Sequence, residues 1–203
     1  MNKFLFGNKN NRQIWIIFIV ANLLYSLMIF MSIPHLQKLS QGLPILDIRS
    51  SGYTLEEVQA LYTALGSEGR SYYLFPQLFF DIFYPGLFAV TYTWIIIRLL
   101  QQLSIQNKWL KGLCYLPLIT SFFDYSENIS IFITLKSYPE LSPTLVQLGS
   151  VCTFLKNISG MMTFSVMIVL FLVWVVRKLR QNKSSINEKN CRTFSRFPKS
   201  ISM

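Results

Sequence analysis

Residues 13–33 read QIWIIFIVANLLYSLMIFMSI, 21 positions without a charged side chain. A helix rises about 1.5 Å per residue, so such a run just spans the roughly 30 Å of hydrocarbon in a bilayer. A secretory signal has a shorter apolar core and a small-residue cleavage site. This run instead ends in Ser32, Ile33, Pro34 and His35, with no Ala-x-Ala pattern, and reads as a retained anchor. Three more apolar blocks follow, at about 74–97, 110–135 and 145–176. The last is longer than a crossing needs, so its first turns project from the bilayer or the helix tilts. The expected fold is all-α: a membrane bundle of four transmembrane helices within residues 1–180, with an outer loop at 34–73 and a basic tail at 181–203.

Composition agrees with that layout. Of 203 residues, 52% are hydrophobic, 15% aromatic and only 14% charged, against about a quarter charged in a soluble domain. The charges gather between the apolar blocks. The net charge is +10, but Arg177–Met203 alone holds eight Lys and Arg against Glu188, which is seven of the ten. A basic stretch directly after a hydrophobic helix fixes orientation and meets anionic lipid headgroups. Nucleic acid is therefore not an expected partner. Rich in Ser, Asn, Lys and Arg, residues 181–203 are expected to be disordered. Cys114, Cys152 and Cys191 form no CxxC and no metal spacing, and read as small apolar fillers.

Lysine and arginine set the orientation. The amino-terminal arm has Lys3, Lys9 and Arg12, and the second connection has Arg98, Lys108 and Lys111, both without an acid. In the first connection Lys38, Arg49 and Arg70 are outnumbered by Asp47, Glu56, Glu57 and Glu68. The third balances Lys136 against Glu140. The positive-inside rule then puts both termini in the cytoplasm.

The first connection is too long for a simple turn. Thr54 and Glu57 have capping-box spacing, and Leu55, Val58, Leu61, Tyr62 and Leu65 recur at helical spacing up to Gly66. A short amphipathic helix at about 54–65 is expected, with Thr54, Glu57 and Arg70 belonging to a cover over the outer mouth of the bundle.

Charge inside a bilayer is expensive, so each intramembrane charge asks for a reason. The second block holds Asp81, the third Asp124 and Glu127, and the fourth Lys156. Counted from the outer ends, Asp81, Glu127 and Lys156 lie about 10, 12 and 15 Å deep. Three helices thus bring ionisable groups to one level, where Lys156 can pair with the acids. Three carboxylates against one ammonium leave an excess, which would hold protons or a cation. Ser121, Asp124 and Asn128 share a helix face. Pro85 removes the hydrogen bond to the carbonyl of Asp81, so that carbonyl, with Tyr84 nearby, is expected to be available to a ligand. The candidate ligand or proton site is Asp81, Tyr84, Asp124, Glu127, Asn128 and Lys156.

Three function classes fit: a protein binding a small or lipid-derived ligand or a proton, an intramembrane enzyme using carboxylate acid–base chemistry, and an assembly subunit whose polar cluster glues helices together. No GxGxxG, Walker loop, HExxH or GxSxG occurs, and His35 is the only histidine. No cofactor or metal is expected. The sequons at Asn128 and Asn157 fall inside crossings and are unusable. Four helices leave little room for alternating access in one chain, although a homo-oligomer would alter that.

Several stretches carry a resemblance: Leu46-Asp47-Ile48-Arg49, Gly52-Tyr53-Thr54 with Glu57, Ala64-Leu65-Gly66, Gly69-Arg70 and Tyr73. Further along the chain come Asp81, Tyr84-Pro85, Asp124-Tyr-Ser-Glu127-Asn128, Pro139 and Thr153-Phe-Leu-Lys156. Together they resemble a group of small, functionally uncharacterised bacterial four-helix integral membrane proteins. That resemblance implies a bacterial source and a shared bundle, and it implies no substrate; the expected location is the bacterial inner membrane.

Overall fold

The computed structural model describes the backbone of residues 11–194 and the side chains of residues 12–181. All regular structure among the described residues is helical. Helix α1 (Asn11–Leu27) passes through a π-wound segment, Met28–Ser32, into α2 (Ile33–Leu39) without a break. Pro34 in the first turn of α2 has no N–H to give, and the wider π turn just before it absorbs the lost bond.

Helix α3 (Leu55–Tyr72) starts at the capping box read from the sequence: the Thr54 hydroxyl accepts from the Glu57 amide and the Glu57 carboxylate accepts from the Thr54 amide. Val58, Leu61, Tyr62 and Leu65 form its buried stripe. Gly66, at φ +62, bends the helix rather than ending it. Only a residue without Cβ takes that backbone conformation at no cost. Beyond Gly66 the chain stays helical through a second π-wound segment, Tyr73–Gln77, which contains Pro76, and into α4 (Leu78–Gln102). The boundary expected near Leu74 is thus a change of helical winding, not a start.

A short helix α5 (Lys108–Gly112) and a 3-10 turn precede α6 (Leu116–Ser137). The long helix therefore begins six residues later than the apolar block at 110, because Pro117 suits a first helical turn. Helix α7 (Pro143–Phe194) is the longest among the described residues. It carries helical structure well past 181, in place of the expected disorder. Adding a residue to an existing helix costs little, and Lys, Arg, Gln and Glu are good helix formers. Residues 195–203, the tail side chains expected at anionic headgroups, and the arm with Lys3 and Lys9 lie outside the described residues.

Among the described residues, three helices are long and apolar enough to cross a membrane: Arg12–Leu39, Leu55–Gln102 and Pro143–Gln181. Helix α6 has the length, but Asp124, Glu127, Asn128 and its hydroxyls lower its mean hydropathy.

Helix α4 is the hub. It packs against α1, α6 and α7, and α6 packs most extensively against α7. One apolar core lies at the end bearing the 40–54 connection, around Leu36, Ile45, Leu46, Leu61, Tyr62 and Ile131. A second lies at the opposite end, around Ile96, Leu100, Leu103 and Leu170, with Cys114 packed among them. The α6–α7 contact depends on Gly149. A Cβ there would lie 2.6 Å from the Tyr53 hydroxyl and 3.0 Å from the Ser130 Cβ. Gly149→Ala is expected to destabilise by about 1 kcal/mol through overpacking, read as an earlier thermal unfolding in detergent; an unchanged midpoint would show that the helices can part freely.

Candidate functional site

Helix α6 presents two polar faces, and each serves a different neighbour. Ser121, Tyr125 and Asn128 succeed one another at helical spacing toward the turn of α4 that Pro85 opens. Asn128 Nδ2 donates to the Asp81 carbonyl at 3.2 Å, the Tyr125 hydroxyl to the Ile82 carbonyl at 2.9 Å, and the Ser121 hydroxyl to the Pro85 carbonyl at 2.7 Å. The freed carbonyl of Asp81 is therefore not open to a ligand, contrary to the expectation from sequence. In a medium without water a backbone acceptor must find a donor inside the protein, and Asn128 supplies it.

The second face carries Asp124 and Glu127 toward Lys156 on α7. Lys156 Nζ forms an ion pair with Glu127 Oε2 and lies 3.4 Å from Asp124 Oδ1. The Thr153 hydroxyl donates to Glu127 Oε1 at 2.6 Å. Glu127 and Thr153 are fully buried. Glu127 thus holds the ammonium from behind, one helical turn from Asp124.

In front of that pair lies a cavity of about 290 Å³. Asp81 and Tyr84 line it from α4, Asp124 from α6, and Lys156 and Asn157 from α7. Tyr25 of α1 also lines it and stacks on Tyr84 with ring centroids 5.2 Å apart. Of the candidates read from sequence, Asp81, Tyr84, Asp124 and Lys156 meet here. Glu127 and Asn128 support the wall from outside the lining. Thr54, Glu57 and Arg70 stand apart. Glu57 pairs with Arg49 at 2.7 Å, and Arg70 donates to the Tyr62 carbonyl across the Gly66 bend.

Two lining residues outside the candidate set bear directly on its acids. Asp47, which in the sequence counts as a loop charge and as part of the resembling stretch 46–49, enters the cavity wall from the 3-10 turn Leu46–Ile48. The Tyr73 hydroxyl donates to its Oδ2 at 2.6 Å, and Asn157 Nδ2 donates to the Arg49 carbonyl at 3.3 Å. The segment 46–49 therefore lies across that end of the cavity, with Glu57 of α3 paired to its Arg49 and Arg70 bonded within α3. Gln77 is the other: its Nε2 donates to Asp81 Oδ2 at 2.9 Å. Its signal in the sequence is the neighbouring Pro76, which shares the π-wound segment with it. Both π-wound segments touch the cavity, through Met28 and Gln77, and such turns often mark functional places in helices.

The connection is tied down on the α7 side as well. The Tyr53 amide donates to the Ser150 hydroxyl at 2.8 Å. Burial, with the nearby Glu127 carboxylate as the next cause, pushes the Tyr53 phenol up, so it remains a neutral hydroxyl.

No family model, curated protein or solved structure matches this chain.

Proposed function

We propose that the chain is a bacterial inner-membrane protein of four crossings with both termini cytoplasmic, and that it binds a small polar or lipid-derived ligand in the outer-half cavity. The fourth crossing would be α6. Its Thr120, Ser121, Asp124, Glu127, Asn128 and Ser130 are buried while Leu118, Ile119, Phe122, Ile129, Phe132 and Ile133 are exposed, a distribution that suits lipid outside and protein inside. The 40–54 connection and α3 then form the outer cap.

The observation that carries the binding reading is an uncompensated excess of acid around one cavity. Asp47, Asp81 and Asp124 line it with a single cation, Lys156. Among the described residues Lys156 pairs only with Asp124 and Glu127, and neither Asp81 nor Asp47 has a cationic partner. A network that served only to glue helices would balance its charges, because unpaired buried charge is costly.

Native mass spectrometry of the purified protein tests the reading. The wild type should retain a bound small molecule that Asp81→Asn loses while keeping its thermal midpoint. An empty wild-type cavity, together with an Asp81→Asn protein that is more stable than the parent, would assign the cluster to scaffolding.

A further inference from the structure

We propose that the ligand is an amphiphile with an ammonium-bearing head and a long apolar tail, entering sideways from the bilayer between α1 and α7. This rests on the binding reading and specifies its substrate class.

The head is inferred from the lining. Asp81 and Asp47 each receive a neutral donor, from Gln77 and Tyr73, and neither forms an ion pair with a cation among the described residues. Gln77 is fully buried and lines the cavity, and its Oε1 has no donor. An arriving group with positive charge and several N–H bonds would satisfy all three acceptors together. A metal ion suits the site less well, since among the described residues no three candidate ligands are grouped to hold one. A phosphate or carboxylate head would face three acids with one lysine already engaged.

The tail is inferred from the surfaces along α7. Deeper than the carboxylates the wall turns apolar, with Phe88, Met161 and Phe164. Beyond them a second groove of about 460 Å³ runs between α1, α4 and α7, lined by Trp15, Phe18, Trp94, Met167 and Phe171. At this end of the first space Phe164 packs on other rings, 5.9 Å from Phe88 and 5.3 Å from Tyr92 by centroids. From Lys156 to Phe171 is about 22 Å of helix, which accommodates an acyl chain. Both spaces lie along the seam between α1 and α7, and those helices make no extensive contact because each packs on α4.

The route is inferred from exposure. The connection end is covered by segment 46–49, whose anchors are the Tyr73–Asp47 and Asn157–Arg49 hydrogen bonds. At the side, Tyr25 and Met161 line the cavity and are also 45% and 70% exposed on the bundle surface. A molecule already dissolved in the bilayer reaches the carboxylates through that side opening.

The test uses the full chain in phosphatidylcholine nanodiscs, with dodecylamine, dodecanol, dodecanoate and butylamine as probes. Dodecylamine should bind at least tenfold more tightly than the other three. Asp81→Asn should weaken it about tenfold, Asp81→Glu should retain it, and Met161→Trp at the rim should slow its entry. If Asp81→Asn does not fold, Asp47→Asn on the connection is expected to give the same loss. Equal binding of dodecanol or dodecanoate, or indifference to both Asp substitutions, overturns the proposal. Tight butylamine binding that Asp81→Asn abolishes, with no gain from the longer chain, overturns the amphiphile and leaves the acidic binding cavity standing. An amine of neither length binding to a cavity empty by mass spectrometry removes both readings.

Discussion

Replacing Lys156 by methionine should cost the folded protein about 3–5 kcal/mol, because it strips the cation from a carboxylate that water cannot reach. Glu127 is fully buried, with only Thr153 and Lys156 on its oxygens. Asp124 loses its only ion-pair partner among the described residues at the same moment. Glu127→Gln should do far less harm. The Thr153 hydroxyl can still donate to an amide oxygen, and Lys156 keeps Asp124 at 3.4 Å. Combining Lys156→Met with Glu127→Gln should recover part of the loss, since Glu127 no longer leaves a charge stranded and only Asp124 remains without its partner. Such non-additivity is the signature of a direct pair. Reversible unfolding in mixed micelles, applied to the two singles and the double, measures it. Strictly additive losses, or a Lys156→Met protein as stable as the parent, would mean that water or lipid headgroups already solvate this level of the bundle.

The contrast between Lys156 and Asp47 shows how far the sequence can be read. Lys156, Asp81, Asp124 and Glu127 are visible because hydrocarbon makes any ionised residue conspicuous in an apolar run, and helical rise alone puts them at one depth. The same logic cannot see Asp47. In a connection rich in charge an acid is unremarkable, and only the 3-10 turn, with Ile45 and Leu46 buried beside it, carries it into the cavity wall. Depth along an axis also says nothing about azimuth. Glu127 and Asp124 read as equivalent ligands in the sequence, yet one helical step separates a buried strut behind Lys156 from a carboxylate facing open space. The capping box at Thr54 and Glu57 is legible because it is local chemistry between residues three apart. Gly66 is legible as a break and not as a bend, because the path of the chain beyond it depends on the packing of α3 against the rest of the cap. The π-wound turns beside Pro34 and Pro76 have no pattern in sequence beyond the prolines themselves.

The opened turn of α4 yields the second large effect. Pro85 cannot donate to the Asp81 carbonyl, and Asn128 does so in its place at 3.2 Å. Asn128→Leu should therefore leave a backbone acceptor without a partner inside the bundle and cost about 2 kcal/mol. Part of that cost is offset, because Asn128 Oδ1 is itself buried without a donor and leaves with the amide. In a Pro85→Ala background the new N–H at position 85 can close the ordinary helical bond to Asp81, and Asn128→Leu should then cost no more than about 0.5 kcal/mol. Tyr125 and Ser121 would meanwhile lose their aim at the Ile82 and Pro85 carbonyls as the turn straightens, so Pro85→Ala alone should bring no gain in stability. The coupling between positions 85 and 128 is thus the measurable quantity, obtained from unfolding of the two singles and the double. Should Asn128→Leu cost the same in both backgrounds, the amide would not be standing in for the proline's missing donor.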